Sequence, residues 1–180
     1  LAADKVTFQL DWLPGGDKAP VYVGIQEGIF EKAGLEVSIA SGRGSTDAVT
    51  KMATGQSDVG TADIGALLAA RAQDDVPVSA VLAYFSQAPH AFFTIKGNGI
   101  NSIKDVAGKK VATSPFTSSN LFLPLVLEEN GLTEDSVTLV KTDPGALGPM
   151  LMTGNVPVII AWTTNLPLFE KQAAEAGKEL

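Results

Sequence analysis

The chain has 180 residues, no cysteine, one histidine and a formal net charge of -7 at pH 7. Apolar residues make up 45% of it and charged residues 18%, which suffices for a hydrophobic core and excludes bulk disorder. The lack of cysteine excludes disulfides, zinc-thiolate sites and thiol nucleophiles, and one histidine leaves a single imidazole for acid–base chemistry. The acidic balance excludes the charge pattern of a nucleic-acid-binding protein. No apolar run approaches the ~18 residues that span a bilayer.

Short apolar strands alternate with helical patterns along the first half of the chain. Period-two or continuous apolar runs predict the strands, and capping residues with helical spacing predict the helices. In chain order we expect a strand at 6–10, a helix at 19–27, a strand at 35–39, a helix at 45–54, a strand at 59–61, a helix at 63–73 and a strand at 76–85. The last of these is long and valine-rich, which predicts a buried strand.

The same alternation continues through the second half. We expect a strand at 90–95, a helical turn at 102–105, a strand at 110–113, a helix from 117 or 118 to 130, a strand at 137–140, a helix at 146–153, a strand at 158–161 and a helix at 166–176. Strand–helix alternation of this length predicts an α/β architecture with parallel pairing.

A weak internal repeat links the two halves. Each copy ends a helix with a Thr-Gly pair, continues into a valine strand and an alanine, and then differs at one position, Asp63 in the first copy and Trp162 in the second. Two copies of one unit predict two similar lobes whose strand-end loops face each other. Chance agreement in a Gly- and Ala-rich sequence is the alternative.

An ordered series of motifs runs along the chain. It comprises Asp11-Trp12-Leu13-Pro14, Ala19-Pro20-Val21-Tyr22-Val23-Gly24, Glu27-Gly28-Ile29-Phe30, Ala33-Gly34-Leu35-Glu36-Val37, Gly44-Ser45 and Thr54-Gly55-Gln56-Ser57-Asp58-Val59-Gly60. Together these resemble the periplasmic binding proteins of the nitrate, sulfonate and thiamine-precursor group, the NMT1/THI5-like or SsuA/ThiY-like family. The resemblance implies an α/β type II periplasmic-binding fold, in which two lobes surround a ligand cleft and close by hinge motion.

The resemblance also implies domain boundaries: a first lobe at 1–85, a crossover at 86–89 and a second lobe at 90–180. Family members are longer, and in them the chain crosses back to complete the first lobe. The first lobe is therefore expected to lack its C-terminal portion here. Pro157 also departs from the family, which often has Asp at this position.

Candidate ligand-binding residues follow the predicted strands, because open α/β sheets bind ligands at the carboxyl ends of strands, beside the free N–H groups of helix N-termini. Lys18 is included because family members often carry a residue near the ligand there. The candidates are Asp11, Trp12, Lys18, Tyr22, Arg43, Gly44, Ser45, Asp63, Ser114, Thr117, Ser118, Trp162 and Asn165.

Aromatic and acidic candidates each have a structural alternative. Trp12 and Trp162 can stack on a flat ligand or pack into a core. Asp11 and Asp63 can accept hydrogen bonds from ligand amines or cap helices.

Each of the remaining candidates also has two possible roles, and for Arg43 and Lys18 a solvated side chain is the default. Gly44-Ser45 and the hydroxyls at 117–118 can bind an anion or cap a helix, and Arg43 can bind a carboxylate or sulfonate or remain solvated. Tyr22 can face the cleft or pack on the first strand. His90 lies beside the crossover and is expected to be structural.

The absence of a recognisable nucleophile–base pair predicts a binding protein and not an enzyme, with no cofactor and no metal. We expect the solute-binding component of an ABC importer, a monomer that captures a small molecule and delivers it to a membrane permease. The tryptophans and aspartates favour a heterocycle such as a thiamine-pyrimidine precursor, whereas Arg43 and the hydroxyls favour a sulfonate or nitrate-type anion.

Two alternatives stand beside this function. The same family includes thiamine-pyrimidine synthases that consume their own histidine and carry a cysteine-rich motif, whereas this chain has no cysteine. The other alternative is the ligand-sensing domain of a regulator, which would need a fused output module. Leu1-Ala2-Ala3 is typical of the small residues that remain beside a signal-peptidase cleavage site. We therefore expect a periplasmic or lipid-anchored protein outside the cytoplasmic membrane.

Overall fold

The structure is a computed structural model that describes residues 2–180, which divide into two compact units. The first unit ends at Tyr84 and the second spans Phe85–Leu180. Leu1, on which part of the signal-peptidase prediction rests, lies outside the described residues. Within residues 2–180, no helix has the length and apolar character needed to cross a membrane.

The first unit is a three-stranded parallel sheet with four helices. Its strands are β1 (Asp4–Gln9), β2 (Leu35–Ala40) and β3 (Val59–Gly60), in the order β2-β1-β3. Its helices are α1 (Ala19–Gln26), α2 (Ile29–Lys32), α3 (Ser45–Ala53) and α4 (Ile64–Arg71). Because helical crossovers return each strand in the same direction, all three strands end at one edge of the sheet.

The second unit is a four-stranded mixed sheet. Its strands are β4 (His90–Thr94), β5 (Lys110–Thr113), β6 (Thr138–Lys141) and β7 (Val158–Trp162), in the order β4-β7-β5-β6. Three of them are parallel, and β4 runs antiparallel to β7. Its helices are α5 (Ser119–Glu129), α6 (Pro144–Met152) and α7 (Leu166–Glu175).

Each unit has its own apolar core beneath its sheet or helices. In the first unit the buried residues Val49, Ala66 and Leu67 pack together on α3 and α4. In the second unit the core joins strand and helix residues, namely Val106, Val111, Leu123, Leu127, Val158 and Ile160. Burial of this apolar area is the main favourable contribution to folding.

The predicted strand at 76–85 is wrong. Val76 and Val78 pack on the core of the first unit, and the Val78 N–H donates to the Val76 carbonyl at 2.8 Å, which turns the chain. Val81 and Leu82 are 87% and 80% exposed, and among residues 2–180 no strand is assigned between α4 and β4. A valine-rich run predicts burial, but a strand also needs a neighbouring strand to accept its hydrogen bonds. The other predicted strands and helices form, most with ends displaced by one or two residues.

The internal repeat corresponds to one local structure that occurs twice. At the ends of α3 and α6, the hydroxyls of Thr54 and Thr153 donate to the carbonyl four residues earlier, at 2.9 and 2.8 Å. Gly55 and Gly154 follow with φ of 73° and 76°, a conformation that glycine adopts without steric cost. β3 and β7 begin a few residues later.

Candidate functional site

Gln9 ties together the loops at the strand-end edge of the first unit. Its side chain is fully buried, and its amide nitrogen donates to the carbonyls of Leu10 at 2.9 Å and Ser41 at 3.0 Å. Its amide oxygen accepts from the Ser57 hydroxyl at 3.0 Å. A buried amide satisfied at both ends holds the loops after β1 and β2 in one arrangement. Sequence reasoning missed Gln9, for which the available signal was a polar residue ending a largely apolar strand.

Gly42 allows the loop after β2 to lie directly on the end of β1. Its N–H donates to the Trp12 carbonyl at 3.1 Å, and a Cβ at this position would come within 2.0 Å of the Leu10 carbonyl oxygen. Only glycine permits that approach. Trp12, a predicted ligand contact, is half-buried at this edge.

A buried ion cluster lies just beyond the end of β1. The Lys18 ammonium is 2.6 Å from a carboxylate oxygen of Asp11 and 2.6 Å from one of Asp17, and the Lys18 side chain is 2% exposed. The Thr61 hydroxyl donates to Asp11 at 3.0 Å. The Asp11 carboxylate that was predicted to accept a ligand amine therefore already binds the ammonium of Lys18 and the hydroxyl of Thr61.

The environment of Lys18 keeps its ammonium charged. Burial lowers the pKa of Lys18, but the charges and hydrogen bonds of Asp11 and Asp17 outweigh burial and leave this pKa above its ordinary value. The Tyr84 hydroxyl donates to the Asp17 carbonyl at 2.8 Å, and burial raises the pKa of Tyr84.

Asp63 and Ser45 link the loops that follow β2 and β3. Asp63 caps α4, since its carboxylate accepts from the Gly65 N–H at 2.7 Å, and its own N–H donates to the Ser45 hydroxyl at 2.9 Å. Gly44 precedes α3 with φ of 149°, a value that favours glycine. Asp63 therefore caps a helix, which was the structural alternative given for it, and the Ser45 hydroxyl holds the backbone of Asp63 in place.

Arg43 and Tyr22 lie on the surface of the first unit. Arg43 is 52% exposed, and its guanidinium pairs with Asp47 at 2.9 Å, one turn along the same segment. Lys51 pairs with the same carboxylate at 3.2 Å. Burial raises the pKa of Asp47, but Arg43 and Lys51 outweigh this and leave it below its ordinary value. Tyr22 is 39% exposed on α1.

Buried hydroxyls gather at the N-terminus of α5 in the second unit. Thr117 donates to the Ser119 hydroxyl at 3.3 Å, and the Asn120 amide donates to the Ser114 carbonyl at 2.8 Å. The Ser118 hydroxyl is also buried and has no hydrogen-bond partner within residues 2–180. A buried polar atom of this kind at a helix N-terminus is a candidate ligand contact.

Four rings form an aromatic cluster at the end of β7: Phe85, His90, Phe122 and Trp162. His90 is 4.9 Å from Phe122 and 5.9 Å from Trp162, and Phe85 is 6.3 Å from Trp162, all between ring centroids. Asn165 accepts a hydrogen bond from the Trp162 N–H at 3.2 Å, so this predicted ligand contact braces the backbone. His90, which was expected to be structural, lies at this edge because β4 is antiparallel and begins where β7 ends.

The matched family model, described as NMT1/THI5 like, covers residues 16–180. The chain belongs to the NMT1/THI5-like family. A putative thiamine biosynthesis protein of Haemophilus influenzae is 28% identical over 167 residues, which are 93% of this chain and 52% of that protein. The predicted family is thereby confirmed.

The type II periplasmic-binding fold is also confirmed. The alkanesulfonate-binding protein SsuA of Xanthomonas axonopodis, solved with bound MOPS, superposes with a TM-score of 0.73 at 16% identity. The match covers all of this chain and 60% of that one. At this identity the likeness shows the fold alone.

The prediction that the protein is not an enzyme is wrong, because the family relatives include named enzymes. The 4-amino-5-hydroxymethyl-2-methylpyrimidine phosphate synthase of Schizosaccharomyces pombe is 29% identical over 111 residues. These are 62% of this chain and 32% of the synthase. The chain thus spans about half or less of the length of these curated relatives, and membership of this family is compatible with catalysis.

Proposed function

We propose that this chain is the ligand-binding part of a solute-binding protein that serves an ABC importer outside the cytoplasmic membrane. Its ligand is a flat, amine-bearing heterocycle of the thiamine-pyrimidine type. The observation that carries the proposal is a half-buried tryptophan at the strand-end edge of each unit, Trp12 and Trp162, beside buried polar groups. Aromatic walls with a few placed polar groups are typical of small-molecule sites.

The polar surroundings of Trp12 favour a neutral ring over an anion. Lys18 lies between two carboxylates, and the guanidinium of Arg43 pairs with Asp47. A sulfonate at either cation would have to compete with these carboxylates at close range. The argument that Arg43 favours an anionic ligand therefore loses its support.

The surroundings of Trp162 favour a ring with hydrogen-bonding groups. The aromatic cluster supplies stacking area, and the buried hydroxyl of Ser118 supplies a group that can donate or accept. The name of the Haemophilus relative, which refers to thiamine biosynthesis, supports the same ligand class. Capture of the ligand by closure of two lobes stays a prediction.

Isothermal titration calorimetry of the full chain tests the ligand class with two probes. We expect 4-amino-5-hydroxymethyl-2-methylpyrimidine to bind with a Kd of about 1 μM or below, near −8 kcal/mol, and MOPS not to bind. Native mass spectrometry of the purified protein should show a small non-covalent adduct of the same class. Binding of MOPS alone, or of neither probe, would refute the proposed ligand.

A second candidate is a pyrimidine phosphate synthase, which the name of the S. pombe relative favours. Synthesis and binding differ in what they predict for the origin of the pyrimidine. A synthase releases a pyrimidine phosphate when it is supplied with a phosphorylated precursor that contains no pyrimidine, whereas a binding protein only retains pyrimidine that is supplied. Mass spectrometry of the small-molecule fraction after incubation separates the two.

A further inference from the structure

The N-terminus of α5 carries hydrogen-bond donors that the folded chain leaves unused. Ser118 is the N-cap residue of this helix of 11 residues, but its side chain makes no capping hydrogen bond. The residue is 0% exposed, and its hydroxyl has no partner in the part of the chain that the structure describes. None of the hydrogen bonds within residues 2–180 uses its N–H either. One residue therefore holds two buried donors that no acceptor of these residues satisfies.

Neighbouring hydroxyls around this helix start are satisfied within the unit. The Thr113 hydroxyl donates to the amide oxygen of Asn120 at 2.7 Å, and the Ser119 hydroxyl is hydrogen-bonded to Nδ1 of His90 at 2.8 Å. The unused hydroxyl of Ser118 is therefore an exception among its neighbours. A buried donor without an acceptor destabilises the folded protein, so it calls for an acceptor from outside the chain.

The chemistry of the two donors indicates which acceptor fits them. An N–H and an O–H of one residue can both donate to an oxygen, which has two lone pairs, whereas a ring nitrogen has one. The positive end of the helix dipole also favours an electronegative oxygen. Residues 113–120 contain no lysine or arginine, so no cation of this segment balances a full negative charge. These points favour a neutral oxygen over a phosphate or a sulfonate.

Ser118 lies at the same edge of the second unit as the aromatic cluster. Strands β5 and β7 are parallel neighbours, and Ser118 follows the end of β5 while Trp162 ends β7. Ser119, the next residue in the chain, is hydrogen-bonded to His90, and the ring of His90 packs edge-to-face on Trp162 with centroids 5.9 Å apart. A heterocycle that stacks on Trp162 therefore has the donors of Ser118 at the same edge for one of its substituents.

We propose that Ser118 is a specificity-determining ligand contact of the second unit, whose hydroxyl and N–H bind a neutral oxygen substituent of the flat heterocycle. This inference rests on the proposed heterocycle ligand and deepens it. Because Ser118 is buried, the ligand reaches it when this edge opens, and the contact then forms away from water. A site built to bind a hydroxyl rejects the analogue that lacks one, because its buried donors are then left unsatisfied.

Calorimetry of the full chain with a matched pair of pyrimidines tests this contact. The compound 4-amino-5-hydroxymethyl-2-methylpyrimidine carries the oxygen, and 4-amino-2,5-dimethylpyrimidine has a methyl group in place of the hydroxymethyl group. Two hydrogen bonds to the oxygen should make the wild type prefer the first compound about 30-fold. Ser118→Ala keeps only the N–H, so the preference should fall to about fivefold. The wild-type comparison is decisive even if Ser118→Ala does not fold.

Thr113→Val is the matched control for Ser118→Ala. It removes a hydroxyl of another 0% exposed residue, which donates to Asn120, so it should lower the melting temperature and keep the preference of about 30-fold. Ser118→Ala removes a hydroxyl that makes no hydrogen bond within residues 2–180, so it should keep the wild-type melting temperature. An unchanged preference in Ser118→Ala would show that water satisfies this hydroxyl, and would overturn the inference.

The failure of this inference differs from the failure of the proposed function. If the wild type binds the two pyrimidines with equal affinity, the Ser118 contact is refuted and the ligand class stands. If the phosphate ester of the hydroxymethyl compound binds more tightly than the alcohol, the preferred oxygen is charged, which refutes the neutral substituent. If no pyrimidine binds, the proposed heterocycle ligand is refuted, and the inference with it.

Discussion

The two copies of the repeated unit diverge at one position, Asp63 after β3 and Trp162 at the end of β7. Asp63 caps its helix through the Gly65 N–H. Trp162 cannot cap, and instead Asn165 accepts a hydrogen bond from the Trp162 N–H, three residues back along the chain. The side chain of Trp162 packs edge-to-face with the ring of His90. In the second copy the polar residue that accepts the backbone hydrogen bond is Asn165, about one turn further along the chain. The position at the end of the strand can therefore carry an aromatic ring.

The difference extends to the whole strand-end edge of each unit. The first unit has a buried ion cluster of Lys18 with two aspartates, and the second has an aromatic cluster with buried hydroxyls. Electrostatic stabilisation depends on pH and on pairing, whereas ring packing depends on shape and area. The following variants test that contrast, from the largest expected effect to the smallest.

Lys18→Met should destabilise the first unit strongly. Removing one partner of a buried ion pair leaves uncompensated charge, here the carboxylates of Asp11 and Asp17, at a cost of about 3–5 kcal/mol. Urea unfolding measures the change. Lys51→Met is the matched control, because Lys51 is 26% exposed and its pair with Asp47 contributes at most about 1 kcal/mol. Equal losses in both variants would contradict the buried cluster.

The ion cluster should also make stability fall at alkaline pH. The pKa of Lys18 in the folded state is raised above its ordinary value of 10.5. Its contribution is therefore fully present below pH 10.5 and is lost as the pH rises through the folded-state pKa. Unfolding free energies measured over this range should decline more steeply for the wild type than for Lys18→Met. Parallel curves would show that Lys18 is not the responsible group.

Trp162→Ala should weaken pyrimidine binding about 10–100-fold, by roughly 1.4–3 kcal/mol, as expected for loss of an aromatic anchor. Phe93→Ala is the matched control, since Phe93 is 8% exposed and packs on Phe169 with centroids 5.0 Å apart. That variant should lose about 3–5 kcal/mol of stability through cavity formation. Calorimetry and thermal melts compare them. A Trp162→Ala variant that loses stability like Phe93→Ala and keeps its affinity would assign Trp162 to the core.

Asp63→Ala should cost about 1 kcal/mol of stability through loss of the helix cap. Asn165→Ala removes the bracing contact at the corresponding place in the second unit and should cost a similar amount. Asp63→Asn is the conservative control, because its amide oxygen can still accept from the Gly65 N–H. A large loss of affinity in Asp63→Asn at unchanged stability would indicate a direct ligand role for the Asp63 charge instead.

Arg43→Ala should have the smallest effect. Its pair with Asp47 is half exposed, and such pairs contribute about 0.2–1 kcal/mol. We expect little change in melting temperature and none in pyrimidine affinity. Loss of pyrimidine affinity in this variant would return Arg43 to the list of ligand contacts.

Local physics explains which parts of the structure could be predicted. Strand–helix alternation follows from hydrophobic periodicity, and the Thr-Gly helix endings follow from a hydroxyl bond to the previous turn and a positive φ at Gly55 and Gly154. Most predicted elements formed for this reason, and the strand-end positions of Trp12 and Trp162 followed from the element order. The strand predicted at 76–85 did not form, because a strand needs a neighbouring strand to pair with and a run of valines does not specify one.

The sequence by itself determined the α/β alternation, the repeated helix ending and the residues that occupy the strand ends. Only the tertiary structure decided what those residues contact. It paired Lys18 with Asp11 and Asp17, and it reversed β4 so that His90 meets Trp162. Helix ends and turns are governed by interactions within a few residues. Strand direction joins residues distant in the chain, and the buried position of the Lys18 cluster involves long-range contacts such as that of Thr61 with Asp11, which no local pattern encodes.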